Sequence, residues 1–118
     1  MLFEVHNTLG PGHHEKYYQK AVAIALAHAG LKFQKELKAD LCLYDEKIGN
    51  YYLDFLVEDK IVLELKRGGR FYKQDISQVR AYLETKGLLL GILALFANDK
   101  LKSERIINWK LVPTEDYS

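Results

Sequence analysis

The sequence predicts an α/β fold in which a mixed central β-sheet is flanked by helices, in the order αβββαβ. Two observations predict these elements: apolar residues recur at helical spacing in two segments, and short apolar runs bounded by turn residues lie between and after them. The third observation is the length, because 118 residues suit a single domain, spanning 1–118. Short loops favour antiparallel neighbours, whereas the strand after the second helix returns by a crossover and is expected to be parallel.

Composition excludes several classes of protein. The net charge is +1, so any binding to nucleic acid must come from local clusters of basic residues. The single cysteine, Cys42, excludes an internal disulfide and a cysteine-based zinc site. The N-terminal segment lacks the pattern of a signal peptide, and the longest apolar run, 88–97, is too short to span a bilayer. We therefore expect a cytoplasmic protein without membrane contact.

The first predicted helix covers residues 13–29. Segment 7–12 is dense in turn residues and is predicted to stay outside any helix. Gly30 is placed as a C-terminal stop. An apolar stripe at three- and four-residue spacing predicts the buried face of this helix: Tyr18, Val22, Ala25, Leu26 and Ala29.

Three strands are predicted to follow this helix. Residues 31–44 contain an extended entry and the first strand, and 45–50 is predicted as a turn. The next two strands lie near 51–57 and 61–66, joined by a short charged loop. These three form an antiparallel meander.

The second predicted helix runs from Lys73 to Lys86, with Gly87 as its stop. Its apolar face is formed by Ile76, Val79 and Leu83. Residues 88–96 are apolar throughout, which is typical of a strand covered on both faces. The final segment, 103–112, is predicted as a half-exposed strand.

Charged residues interrupt the central strands. If residues 58–60 form a three-residue loop, Val57 faces Ile61 and Asp54 faces Glu64, with Cβ atoms roughly 4.5–5.5 Å apart. Lys66 follows two residues after Glu64 and points the same way. Strict alternation places three apolar residues on the face opposite Asp54: Leu53, Phe55 and Val57.

The predicted helices bring two further polar residues toward this face. Glu15 lies on the apolar stripe of the first helix, and Gln78 lies beside the apolar stripe of the second. Carboxylates gathered in this way bind hard cations, and Mg²⁺ in particular prefers oxygen ligands completed by water and phosphate. The sequence therefore predicts metal-assisted hydrolysis of a phosphodiester, with Mg²⁺, or alternatively Mn²⁺, as the cofactor.

These residues resemble a known family at several points. The pattern D-x9-E-x-K, formed by Asp54, Glu64 and Lys66, resembles the PD-(D/E)XK nuclease superfamily. "LGPGHHEKYY" is similar to the signature of the GxxExxY family of small prokaryotic proteins, with Gly12, Glu15 and Tyr18 in the defining positions. "LDFLVEDKIVLELK" and "QVRAYL" are similar to that family's later blocks, so the resemblance covers nearly the whole chain.

The resemblance implies a restriction-endonuclease-like core and assigns roles to five residues. Asp54 and Glu64 would be metal ligands, with the backbone carbonyl of Leu65 as an additional ligand. Lys66 would be the catalytic lysine. Glu15 would assist metal binding, and Gln78 would be a polar residue of the site from the second helix. The superfamily's nominal proline before the first acid is replaced here by Leu53.

One basic segment is a candidate for substrate binding. "KRGGRFYK", residues 66–73, carries Arg67, Arg70 and Lys73 with two aromatic residues between them, a composition that suits contact with phosphates and bases. The partner expected is nucleic acid, with DNA favoured over RNA. A homodimer is also expected, since cutting a duplex requires two sites, and exposed apolar residues suit its interface: Ile107, Trp109 and Tyr117.

Two alternatives remain open. The chain could be a non-catalytic nucleic-acid-binding or complex-forming module that keeps the nuclease fold. It could also be a structural protein in which the acids only pair with Lys66. The intact set of two acids and one lysine favours the enzyme.

Overall fold

The computed structural model describes residues 1–113, which form a five-stranded sheet with helices on both faces. This mixed α/β architecture is the predicted fold class. Tyr117, expected at a dimer interface, lies outside the described residues. The elements in chain order are helices α1 (Leu2–Leu9) and α2 (Glu15–His28), strands β1 (Phe33–Leu43), β2 (Glu46–Val57) and β3 (Ile61–Arg67), helix α3 (Lys73–Lys86), strands β4 (Leu90–Phe96) and β5 (Leu101–Ile107), and a 3₁₀ turn (Trp109–Leu111).

Both predicted helices are present because their boundaries are encoded locally. Helix α2 begins after His14, whose ring accepts a hydrogen bond from the backbone N–H of Lys16, and the chain leaves it through Gly30 at φ +75°. Helix α3 has the predicted bounds and ends at Gly87 in the left-handed conformation. Within residues 1–113, none of the helices is both long and apolar enough to cross a membrane.

Helix α1 was not predicted. It includes Asn7, Thr8 and Leu9, so the expectation that segment 7–12 stays outside any helix is wrong for its first half. Two contacts hold it to the body of the protein: Val5 is buried in the core, and the ring of buried His6 lies 2.8 Å from the backbone carbonyl of Ala97. These contacts span most of the chain length and leave no local signal in the sequence.

The strand order in the sheet is β1-β2-β3-β4-β5. Strands β3 and β4 are parallel and the other neighbours are antiparallel, as the short loops and the single crossover predict. The predicted turn at 45–50 is shorter than expected: only Tyr44 and Asp45 turn, at φ 48° and 64°, and β2 starts at Glu46. The last strand is also shorter than predicted, because Trp109–Leu111 is a 3₁₀ turn.

Two apolar clusters fill the space between the sheet and its helices. One packs α1 and α2 against the sheet and contains Tyr18, Val22, Leu26, Phe55, Leu63, Leu65 and Phe96. The other packs α3 against the opposite face and contains Leu37, Leu53, Val62, Val79, Leu83 and Leu93. Alternate residues of β3 and β4 enter different clusters, which explains why both strands are apolar almost throughout.

Strand β2 does not keep a constant face, and this corrects one prediction. Phe55 and Val57 pack on the α2 side, whereas Leu53 packs on the α3 side, although strict alternation puts all three on one face. The ladder between β1 and β2 is interrupted at the same level, where Glu36 has φ +56°. Asp54 therefore lies at a kink of the strand.

The sheet forks at this kink. The predicted register is confirmed, since Val57 pairs with Ile61, but the pairing of β2 with β3 ends at Phe55 and Leu63. Beyond the fork, β2 continues with β1 alone as a two-stranded arm, residues 37–53. The fork opens a gap between β2 and β3, and Asp54 lies on one side of that gap and Glu64 on the other.

Candidate active site

Asp54 and Glu64 lie next to each other in the fork. There, hydrogen bonds to their side chains replace the missing backbone hydrogen bonds between β2 and β3. The backbone N–H of Asp54 donates to Oε1 of Glu64 at 3.0 Å, and the backbone N–H of Leu65 donates to Oδ2 of Asp54 at 2.7 Å. Each carboxylate thus accepts a hydrogen bond from the opposite strand. The arrangement satisfies the backbone groups that the fork leaves unpaired and brings the two acids together.

Burial makes this carboxyl pair costly to ionise. Glu64 is 5% exposed. Burial and the neighbouring charge of Asp54 raise the pKa of Glu64 to about 9. Burial also raises the pKa of Asp54, while hydrogen bonds with Glu64 and with the N–H of Leu65 act in the opposite direction. At neutral pH, without a cation, the pair therefore retains a proton.

Lys66 lies beside this pair. Its Nζ is 3.9 Å from Oε2 of Glu64 and 3.6 Å from Oδ1 of Asp75. Burial by itself lowers the pKa of Lys66, but the surrounding carboxylates, Glu64 and Asp75 first, outweigh it, and the net shift is upward. Lys66 is therefore charged at neutral pH.

Helix α2 contributes two residues to the site. Gln19 donates from Nε2 to Oδ1 of Asp54 at 2.6 Å, so both oxygens of that carboxylate have partners. Glu15 lies one turn earlier on the same helix face, and its Oε1 accepts a hydrogen bond from the backbone N–H of Arg67 at 3.4 Å. Glu15 thus borders the acid pair, as its place on the apolar stripe predicts.

Helix α3 contributes a different residue from the one predicted. Gln78 does not lie with the acid pair; it lines a second groove, between α3 and the arm, where its backbone carbonyl accepts from the hydroxyl of Tyr51 at 3.0 Å. From the same helix, the carboxylate of Asp75 faces Lys66. Asp75 lies three residues before Gln78, nearly one turn of helix, so the two side chains share a face of α3 but are offset along its axis, and Asp75 is the one that is level with Lys66.

The basic loop lies at one end of the site. Arg67 donates from its guanidinium to the backbone carbonyl of His13 at 3.1 Å. The guanidinium of Arg70 stacks on the exposed ring of Tyr72, with 4.8 Å between the guanidinium carbon and the ring centroid. Lys73 is exposed in the first turn of α3. The three residues follow Lys66 directly in the chain, but Arg67 and Arg70 already have local partners.

The donor set suits a magnesium-type ion. Among residues 1–113, no group of three or more His, Cys, Asp or Glu side chains is arranged to hold a metal by itself. The fork instead offers two carboxylates, and Mg²⁺ is commonly bound by one or two carboxylates with water and phosphate completing the shell. A cation bound at the two carboxylates would replace the positive charge of the proton that the pair retains. The residues present therefore fit a divalent cation that the substrate helps to bind.

Sequence reasoning missed Gln19 and Asp75. Gln19 is four residues after Glu15 and therefore shares its helix face, which was an available signal. Asp75 is four residues before Val79 and lies next to the apolar stripe of α3. Choosing between Asp75 and Gln78 requires the position of α3 along and around its axis relative to β3, and no sequence pattern reports that position.

A family model described as the PD-(D/E)XK nuclease superfamily matches residues 1–107. Among curated proteins none matches the chain. The crystal structure of SSO0001 is similar, with a TM-score of 0.60 and 17% sequence identity over 79% of this chain and 49% of that chain. The chain therefore spans about half the length of SSO0001 (49%) and shares its fold.

Proposed function

The chain belongs to the PD-(D/E)XK nuclease superfamily, and on that premise we propose that it hydrolyses phosphodiester bonds in nucleic acid with the help of a divalent cation. Members of this superfamily are generally dependent on divalent metals and act on nucleic acid. The observation that carries the proposal is the fork in the sheet, where Asp54 and Glu64 exchange hydrogen bonds with each other's strands and Lys66 lies 3.9 Å from Glu64.

Asp54 and Glu64 are proposed as the metal-binding carboxylates, with the backbone carbonyl of Leu65 as a further ligand. A cation bound there lowers the pKa of its water and offsets charge that develops on the phosphate. Gln19 holds Asp54 in place through its 2.6 Å hydrogen bond. Glu15, at the border of the pair, adds negative charge that favours the cation.

Lys66 is proposed as the catalytic lysine. Its raised pKa keeps it protonated at neutral pH, so it donates to a phosphate oxygen or orients the attacking water and does not act as a base. Asp75 holds the ammonium at 3.6 Å and thereby positions it. Arg67, Arg70 and Lys73 are proposed to contact phosphates beyond the reacting one.

The test compares two substitutions. Lys66→Ala is expected to retain Mg²⁺ binding and to lose cleavage, because lysine is not a ligand. Asp54→Ala is expected to lose both. Cleavage of labelled single- and double-stranded substrates is measured with Mg²⁺, with Mn²⁺ and with EDTA, and metal binding by calorimetry. Equal activity in wild type and Lys66→Ala that depends on the metal would contradict the proposal, whereas equal activity that is independent of metal would mean a contaminating nuclease.

A non-catalytic module with the same fold is the second candidate. One observation favours it: both carboxylate oxygens of Asp54 already accept hydrogen bonds, one from Gln19 and one from the backbone of Leu65. An ion that enters must compete with those donors. Tight binding of nucleic acid without cleavage, in wild type and in Lys66→Ala alike, would favour this candidate.

Several finer assignments complete the proposal. They are Mg²⁺ in preference to Mn²⁺, DNA in preference to RNA, membership in the GxxExxY group, and a cytoplasmic location. A homodimer is proposed as well, and it is supported by exposed apolar side chains near the C-terminal end of the described chain: Leu89 at 51%, Trp109 at 65% and Leu111 at 48%. Light scattering on wild type and Trp109→Ser tests it, and equal, monomeric masses would exclude this interface.

A further inference from the structure

The acid pair lies at the floor of a cleft between α2 and the arm. The cleft has a volume of about 730 Å³, and its lining includes Glu15 and Gln19 from α2, and Asp54 and Tyr52 from β2. Sites of about 300–1,000 Å³ hold small ligands and short segments of larger ones. A single nucleotide unit and its neighbouring phosphates are of this scale.

Lysines lie on both walls of the cleft. Lys16 and Lys20 extend from α2, and Lys35 extends from β1 on the other side. Within residues 1–113, Lys20 and Lys35 form no ion pair, and Lys16 lies only against the ring of Tyr17, at 5.2 Å. The carboxylates of the lining, Glu36 next to Lys35 among them, repel a phosphate, so cations on both walls are needed to keep an anionic chain in place.

Tyr52 supplies an aromatic surface at the same cleft. Its side chain is 58% exposed and lies two residues before Asp54, on the part of β2 that has left β3. The ring is therefore available to a ligand in the cleft. A base can stack on it, and such stacking does not depend on base identity.

We propose that this cleft binds an extended single strand of nucleic acid, with Tyr52 stacking on an unpaired base and Lys16, Lys20 and Lys35 binding the phosphates on either side of the reacting one. The inference rests on the proposed function, because it assigns the substrate class to the same site. Basic walls combined with an aromatic platform are the arrangement that recognises single strands through backbone charge and base stacking. The bases of a duplex are stacked on one another and leave none free for the ring of Tyr52, so the arrangement favours a single strand.

The test measures binding in EDTA, so that cleavage does not interfere. Fluorescence anisotropy is followed with labelled oligothymidylate, labelled oligouridylate and a duplex of the same length. The wild type is expected to bind both single strands more tightly than the duplex, and the two single-stranded probes distinguish DNA from RNA. Tyr52→Ala should weaken single-strand binding by about 10-fold, and Tyr52→Phe should keep it because the ring does the stacking.

The lysines are tested through the salt dependence. Lys20→Ala should reduce the slope of log K against log salt by about 0.7, the value for one phosphate contact on a single strand. Two matched controls lie elsewhere: Tyr44→Ala removes a ring that is 92% exposed at the tip of the arm, and Lys86→Ala removes a lysine from the α3 side of the sheet. Both controls should bind as wild type does.

Failure of this inference and failure of the proposed function give different results. Wild-type affinity in Tyr52→Ala, or tighter binding to the duplex, overturns the single-strand assignment, whatever the cleavage assay shows. Absence of binding to all three probes overturns it as well. Binding that depends on Tyr52 and Lys20, without metal-dependent cleavage, upholds the inference and removes only the hydrolysis. Thermal midpoints of Tyr52→Ala and Tyr52→Phe verify that both variants fold.

Discussion

At the scale of single residues, the fork places a buried carboxyl group, Glu64, and a half-buried one, Asp54, next to one ammonium. The Asp54 carboxylate accepts a hydrogen bond from the backbone N–H of Leu65, and the Glu64 carboxylate accepts one from the backbone N–H of Asp54. Lys66 lies near the carboxylates of both Glu64 and Asp75. Ionising both Asp54 and Glu64 costs stability, and a structural role would not require that cost. The expected consequences are a pH-dependent stability and a lysine whose position depends on Asp75.

We expect the metal-free protein to lose stability as the pH rises from about 5 to about 8. The pKa of Glu64 rises from 4.5 to about 9 on folding, so over this range the folded protein holds a proton that the unfolded chain has released. Stability is therefore full below the unfolded pKa and falls until the folded pKa is reached. The fall is at most about 4 kcal/mol, since one proton contributes about 1.4 kcal/mol per pH unit. Urea denaturation in EDTA measures it.

Glu64→Gln serves as the control for that slope. The amide cannot ionise, and its oxygen can still accept the hydrogen bond from Asp54, so the variant should match or exceed wild-type stability at the higher pH. A variant that is strongly destabilised at both pH values would mean that Glu64 is a structural partner.

Asp75→Asn should slow cleavage by roughly 10-fold or more, with little change in substrate affinity, because misplacing a reacting group by even 1 Å is costly. The neutral amide releases Lys66 from its 3.6 Å ion pair. Asp75→Glu keeps the charge and should recover part of the rate. Gln78→Ala is the matched control on the same helix and should cleave normally, since Gln78 lines the other groove. Slow cleavage by Gln78→Ala together with normal cleavage by Asp75→Asn would place Gln78 in the site. Separate measurements of kcat and KM distinguish these two outcomes.

At the scale of elements, the packing of α3 on β4 depends on one glycine. A Cβ built at Gly91 would lie 2.5 Å from Cγ1 of Val79, closer than packed atoms approach. Strand β4 pairs with β3, the strand that carries Glu64. The contact between Gly91 and Val79 therefore fixes the distance between α3 and the site. Helix α3 carries Asp75, and its seating therefore bears on Lys66 as well.

Gly91→Ala should destabilise the protein by about 1–3 kcal/mol through overpacking. Val79→Ala opens a cavity by itself, but the double variant should be less destabilised than the sum of the two single changes, because the added methyl occupies the vacated space. Gly49→Ala is the control, since a Cβ there meets nothing within 4 Å. Strict additivity in urea denaturation would mean that the two residues are not in contact.

At the scale of the whole molecule, a cation that binds only the folded state should stabilise it. We expect the thermal midpoint to rise with the logarithm of Mg²⁺ concentration, corresponding to about 2.7 kcal/mol at 100 times the dissociation constant. Asp54→Asn and Glu64→Gln should abolish the rise, whereas Lys66→Ala should retain it. Asp45→Asn, at the tip of the arm, controls for general effects of lost charge. Scanning fluorimetry is the measurement, and a rise that survives in Asp54→Asn would place the ion elsewhere.

The sequence by itself determined the elements whose signals are local. Helix α3 was bounded correctly because its apolar stripe and Gly87 lie within one segment, and the register of Val57 with Ile61 followed from the length of the loop. The meeting of Asp54 with Glu64 was predictable for the same reason, since it depends only on counting outward from that loop.

Only the tertiary structure decided how the elements are turned toward one another. Periodicity reports which residues share a face of an element, but not how far that element is rotated or shifted along its axis against the sheet. Asp75 therefore faces Lys66 in place of Gln78, and Gln19 reaches Asp54 from α2. The kink at Asp54 and the docking of α1 through His6 arise from contacts between segments far apart in the chain. Such contacts have no period in the sequence, because they are set by packing after the strands have paired.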